Sequence, residues 1–210
     1  MAVKLIMFDL DGTLVDTVRD ITNALNYALR PYGLNELTVE VTVKMVGEGL
    51  TRLIEKVLGE EKSQLRDAVK KRFLDYYSEH LIDYSETYPH VRETLENLSG
   101  YKKAVISNKR EYLSAKLLDK LDLLKYFDLV VGSDTTSERK PSAVPVIHVI
   151  NKLNVAIYES VIVGDSPYDI EAGKKAGVKT IAVTYGYGGK KDILDADYMI
   201  DSIESLLALI

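Results

Sequence analysis

The chain has 210 residues, 46% of them hydrophobic, a formal net charge of −5 and no Cys. That length and apolar content suffice for one large domain or two small ones. Without a Lys/Arg block there is no basic patch for nucleic acid, and without Cys there is neither a disulfide framework nor a thiolate metal site.

Val3 to Phe8 reads as a buried strand, interrupted only by Lys4. Four apolar residues separate Lys4 from Asp9, so no leader peptide is expected. No apolar run approaches the ~20 residues that span a bilayer. These features predict a cytoplasmic protein, monomer or homodimer, with no membrane or nucleic-acid partner. Ile21, Ala24, Leu25, Ala28 and Leu29 follow helical spacing, and that helix should end near Pro31-Tyr32-Gly33. In LTVEVTVKMVG the apolar residues alternate, which by pattern alone predicts a strand. Its neighbours favour a helix with Thr38 as N-cap, and helix is the reading adopted. Leu50, Leu53, Ile54, Val57 and Leu58 make a further helix, as do Leu65, Ala68, Val69, Phe73, Tyr76 and Tyr77.

Beyond residue 81 short apolar segments alternate with helical patterns. KAVISN, DLVVGSD, ESVIVGDS, KTIAVTYG and YMID read as strands, and Leu113, Leu117, Leu118 and Leu121 share one helical face. Strands buried on both faces and alternating with helices predict a parallel sheet. The expected fold is α/β, a Rossmann-like parallel sheet core with an inserted small helical cap domain. The core takes residues 1–16 plus 82–210 and the cap takes 17–81.

Asp9 and Asp11 lie where the first strand ends. Two carboxylates about 4 Å apart repel by roughly 4 kcal/mol at an effective dielectric of 20. A cation between them, a proton on one of them, or solvent would relieve this. A turn pair is the plain alternative. A calcium loop is disfavoured, because Thr13 and Leu14 stand where its third oxygen ligand and its glycine belong. Ser107-Asn108-Lys109, Lys140-Pro141 and Gly164-Asp165-Ser166-Pro167-Tyr168-Asp169 fall at other strand-to-helix junctions. Each alone is ordinary, as turn, solvated lysine or helix cap. In a parallel sheet they should gather on one edge, where ligands bind. Acids, a hydroxyl and a lysine suit a phosphate ester with a divalent cation.

FDLDGTLVDT, SNK, RKPSAVP and GDSPYD, in that order, resemble the four motifs of the haloacid dehalogenase superfamily of phosphohydrolases. The resemblance covers nearly the whole chain. VGEGLTRLIEKVLG resembles the cap loop and helix of the phosphoglycolate phosphatases within it. The resemblance implies a Mg²⁺-dependent phosphomonoester hydrolase acting on a small phosphorylated metabolite. It implies Asp9 as nucleophile and Asp11 as general acid and base. Ser107, Asn108 and Lys140 would bind phosphate. Asp9, Asp165 and the Asp11 carbonyl would bind metal, with Asp169 behind them. Gly47, Glu48, Gly49 and Arg52 would select the substrate, though a surface pair of Arg52 with Glu48 or Glu55 is the plain alternative. Pyrophosphatases, β-phosphoglucomutases and sugar-phosphate or nucleotide phosphatases share the architecture, and a phosphate sensor without turnover is the non-enzyme reading. Departures from the pattern are Ser107 where many relatives have Thr, Ala143 where a Pro is frequent, and His90 where a turn Gly is common.

Overall fold

The structure, a computed structural model, describes residues 3–210. The chain divides into two compact units, one made of the described residues up to Asp16 with Thr87–Ile210, the other of Thr17–Glu86. Two short strands, β2 (Val15–Asp16) and β3 (Glu86–Thr87), mark the crossings.

The first unit is built on six parallel strands in the order β5-β4-β1-β6-β7-β8. They are β1 (Leu5–Phe8), β4 (Lys102–Ile106), β5 (Leu129–Val131), β6 (Ser160–Gly164), β7 (Lys179–Val183) and β8 (Tyr198–Ile200). β1 begins two residues later than the apolar run predicts, since Lys4 is exposed and pairs with Glu159 at 2.7 Å. Met7 opposes Ala104 on one side and Ile162 on the other, so β1 is central and apolar on both faces. Helices α5 (Val91–Asn97), α6 (Glu111–Lys120), α7 (Val144–Leu153) and α8 (Pro167–Ala176) follow β3, β4, β5 and β6. Val146, Val149 and Ile150 of α7 and Ala172 of α8 join Leu5, Met7, Ala104 and Ile162 in one apolar cluster. Each Val, Leu, Ile or Met among them contributes about 1.5–3 kcal/mol by leaving water. The chain builds outward from β1 to β4 and β5, then returns to β1's other side for β6, β7 and β8. The strand order therefore reverses at β1, the position where open α/β sheets bind ligands.

The second unit holds α1 (Val18–Leu29), α2 (Val39–Val43), α3 (Leu50–Leu58) and α4 (Arg66–Tyr77). α1 packs on α4, with Ile21, Leu25 and Leu29 buried in one and Val69, Phe73 and Tyr77 in the other. The alternating stretch is helical, and the Thr38 hydroxyl accepts a hydrogen bond from Val41 N–H at 3.4 Å as its N-cap. The unit extends to Glu86, five residues beyond the expected Leu81. Its anchor is Asp20, buried in α1. One Asp20 oxygen accepts from the Tyr84 amide (3.0 Å), the Ser85 amide (2.8 Å) and the Ser85 hydroxyl (2.7 Å).

Candidate active site

Asp9 directly follows β1, and its amide donates to Val163 O of β6 at 2.8 Å. Asp11 lies in the turn beyond, where Gly12 (φ +91°) leaves no room for a Cβ beside Asp165. Ser107 caps the end of β4 and gives its amide to Val131 O at 2.9 Å. Asp165 directly follows β6. The sheet order thus gathers on one edge residues that are far apart in sequence.

Lys140 sits in the loop before α7, rather than opening that helix, which starts at Val144. Its ammonium is 2.8 Å from Asp9 Oδ1 and 2.6 Å from Asp169 Oδ1, and it donates to Ile106 O at 2.6 Å. Asn108 Nδ2 donates to Lys140 O at 3.0 Å, which ties the second motif to the third. Asp169 is the third residue of α8, and its other oxygen accepts from the Ser166 amide and hydroxyl. Ser166, not Asp165, therefore caps that helix.

Asp165 is held by other groups. Its Oδ1 accepts from the Thr13 hydroxyl at 3.2 Å, and Oδ2 accepts from the amides of Tyr187 (2.7 Å) and Gly188 (3.2 Å). The loop carrying those amides is fixed at two further points. The Tyr185 hydroxyl donates to Thr13 O, and the Tyr187 hydroxyl pairs with Asp16, both at 2.8 Å.

The carboxylate oxygens of Asp9, Asp165 and Asp169 all lie within 4.8 Å of one another, and all three residues are buried. Burial, then the Asp169 charge, pushes the Asp9 carboxyl well above the usual range. The same causes, in the same order, push Asp165 up to about 6. Burial alone would lower the Lys140 ammonium, but Asp169 and Asp9 outweigh it and raise its pKa. The cluster therefore holds more negative charge than Lys140 offsets. An all-oxygen donor set with surplus negative charge fits a hard divalent cation such as Mg²⁺.

Asp9, Asp11, Ser107, Asn108, Lys140, Asp165 and Asp169 all belong to the first unit; Gly47, Glu48, Gly49 and Arg52 belong to the second. There Gly49 is the N-cap of α3, Arg52 pairs with Glu55 at 2.9 Å, and Glu48 pairs with Lys56. Arg52 thus adopts the surface pairing, and its hydrogen bond is the main cause holding the Glu55 carboxyl below its usual range. Asp134, in the loop after β5, serves α6: it accepts from the Glu111 amide at 2.8 Å and pairs with Arg110 at 3.0 Å.

Sequence reasoning left two parts of the site without a role. Lys109, the last residue of SNK, lies 2.5 Å from Asp11 Oδ1. Its signal was its place two residues past Ser107. The Tyr185–Gly188 loop was marked only by its glycine density, because it contacts Asp165 through main-chain groups.

The family described as haloacid dehalogenase-like hydrolase matches residues 6–183. A phosphoglycolate phosphatase of Aquifex aeolicus is 45% identical over 88% of this chain and 86% of its own length. One from Chromobacterium violaceum is 37% identical over 99% and 96%. A crystal structure described as a predicted phosphoglycolate phosphatase from Haemophilus somnus superposes with a TM-score of 0.92 at 30% identity, covering 99% of this chain and 97% of the other.

Proposed function

This chain belongs to the haloacid dehalogenase-like hydrolases and is a phosphatase of that family, and we propose that it hydrolyses a small phosphate monoester, 2-phosphoglycolate first among them, through a phosphorylated Asp9. One observation carries the reading: Asp9, Lys140, Asp165 and Asp169 converge, buried, beyond the sheet edge where the strand order reverses. The choice of ester rests on the relatives named phosphoglycolate phosphatase.

In the first step an Asp9 carboxylate oxygen attacks phosphorus and the P–O bond to the leaving group breaks. Asp11 gives its proton to the departing oxygen, which leaves as the alcohol. In the second step water attacks the phosphorus of the aspartyl phosphate and passes a proton to Asp11. Phosphate leaves and the Asp9 carboxylate is restored. The Ser107 hydroxyl and the Asn108 amide hold phosphoryl oxygens, and Lys140 offsets charge on them. Asp9, Asp165 and the Asp11 carbonyl would hold Mg²⁺, which when bound neutralises charge between an anionic nucleophile and an anionic ester. Asp169 fixes Lys140.

Gly47, Glu48, Gly49 and Arg52 are proposed on sequence grounds to set the ester preference. Arg52 would first have to leave Glu55, an exposed surface pair that solvent screens. The protein is proposed to act in the cytoplasm on a small metabolite; among the described residues no helix is long and apolar enough to cross a membrane.

Phosphate release with and without EDTA tests the class, and Asp9→Asn tests the nucleophile. Asp9→Asn should lower kcat by several orders of magnitude with an unchanged far-UV spectrum, since shape is kept and the attacking oxygen is not. Substantial turnover in that variant would remove Asp9 from its role. Comparing kcat/KM for 2-phosphoglycolate and ethyl phosphate in wild type and Arg52→Ala tests the ester. A wild type without preference for the acid would leave only the phosphatase class standing.

A further inference from the structure

Lys109 is the cation nearest the general acid, and the reading above gives it no task. Its ammonium lies 2.5 Å from Asp11 Oδ1, and both side chains are nearly buried. Its own main chain is fixed on both sides: the Lys109 amide donates to Ser107 Oγ at 3.1 Å, and its carbonyl accepts from the Ser133 amide at 2.9 Å. A single three-residue segment at the end of β4 therefore grips two groups. The hydroxyl of Ser107 accepts from the Lys109 amide, so its own proton is left to donate elsewhere. Asp11 is gripped at Oδ1.

We propose that Lys109 is a positioning residue for proton transfer: by anchoring Oδ1 it fixes where the Asp11 carboxyl sits when it gives and takes its proton. This rests on the assignment of Asp11 as acid and base. A neutral carboxyl protonated on Oδ2 still accepts from an ammonium at Oδ1. The anchor therefore serves both steps, whether Asp11 arrives with its proton or waits for one from water. The carboxyl follows a turn beyond β1 and would otherwise rotate about two side-chain torsions. Proton transfer needs heavy atoms within about 2.6–3.2 Å, so fixing one oxygen directly favours the reactive placement of the other. Two other tasks are open to an ammonium here. It could neutralise the phosphate, in which case it acts beside Asp11 and not through it. It could bind a carboxylate on the substrate, in which case it matters only for acidic esters.

A double-mutant cycle separates these tasks. Wild type, Asp11→Asn, Lys109→Met and the double variant are assayed on p-nitrophenyl phosphate, ethyl phosphate and 2-phosphoglycolate. General acid–base assistance contributes typically about 10²–10⁴-fold, and leaving groups that need no proton forgo most of it. Lys109→Met should therefore lower kcat on both alkyl esters by about 10–10³-fold, with a much smaller loss on p-nitrophenyl phosphate and little change in KM. In the Asp11→Asn background the same change should add less than about threefold, because the group it serves is gone. Lys109→Arg, which can still reach Oδ1, should recover most of the alkyl-ester rate. Multiplying losses in the double variant, or equal losses on all three esters, would overturn the proposal in favour of phosphate binding. A loss confined to 2-phosphoglycolate would overturn it in favour of substrate recognition. If Asp11→Asn alone has no leaving-group dependence, the acid–base reading fails first and the proposal with it. Lys109→Met keeps the apolar stem in its buried site, and a Lys109→Gln variant with wild-type Tm gives the same comparison if Met destabilises.

Discussion

Asp165 shows how the site sets its charge against its stability. Its carboxyl is pushed up from the ordinary 3.8 to about 6 by burial and then by Asp169. The folded chain therefore keeps a proton there that the unfolded chain has already lost. That contribution to stability is complete below about pH 4 and is lost as pH rises through about 6. Asp9 is shifted in the same direction. In EDTA the Tm of the wild type should fall across this window, and that of Asp165→Asn should fall less, as differential scanning fluorimetry would show. Adding Mg²⁺ at pH 7 should raise the wild-type Tm and raise that of Asp165→Asn less, because a ligand that binds only the folded state stabilises it. His90 concerns the fold instead. It occupies the left-handed region (φ 63°, ψ 7°) as the N-cap of α5. A non-glycine residue there costs roughly 1 kcal/mol, of which glycine's greater unfolded freedom returns part. His90→Gly should raise Tm by about 1–3 °C with kcat unchanged.

Among the elements, the return segment after α4 is tied to α1 by Asp20. Asp20 accepts three hydrogen bonds from Tyr84 and Ser85. Asp20→Ala strands two buried or half-buried amides and should cost about 2–4 kcal/mol. Hydrogen exchange should then accelerate at Tyr84 and Ser85 and stay slow through β4 and β6. This tie keeps residues 84 and 85 with the second unit, and nothing near them announces that a carboxylate 60-odd positions earlier holds them. The alternating stretch at 38–46 was ambiguous for a related reason. Val39, Val41 and Val43 carry strand propensity, yet a five-residue helix is too short for propensity to decide. The Thr38 cap and the packing of α2 on α1 decide it. β4 conceals a different case. Lys103 is buried within an apolar strand and gives its ammonium to Leu98 O (2.6 Å) and Tyr101 O (3.0 Å), and burial lowers its pKa.

At the scale of the molecule, the chain enters and leaves the sheet unit at adjacent points. Tyr88 N donates to Leu14 O at 3.1 Å, so the ends of the inserted stretch lie side by side within the first unit. Replacing residues 17–86 by a short Gly/Ser linker should therefore leave a six-stranded unit that melts cooperatively by circular dichroism, because loop closure over so small a gap costs little. Failure to fold would mean that the sheet unit depends on the insert. The sheet was legible because its strands are buried on both faces and end in polar turns, and parallel topology then brings the strand ends together without further information. Asp9, Ser107 and Asp165 needed only that. What was not legible is what holds them. Lys109 reaches Asp11 across 98 residues, and no local pattern encodes that distance.

The Asp165 clamp has a consequence for how the site would look to a mutational survey. Two of its donors are peptide N–H groups, of Tyr187 and Gly188, and every residue but proline supplies one. Side-chain replacements at 187 would lose the link to Asp16 but keep the grip on Asp165. Gly186 and Gly188 behave oppositely, since a Cβ at either would run into Asp165 itself. A saturation library read only for activity would thus mark two small, chemically inert positions as indispensable and leave the donor at 187 unmarked except for its proline.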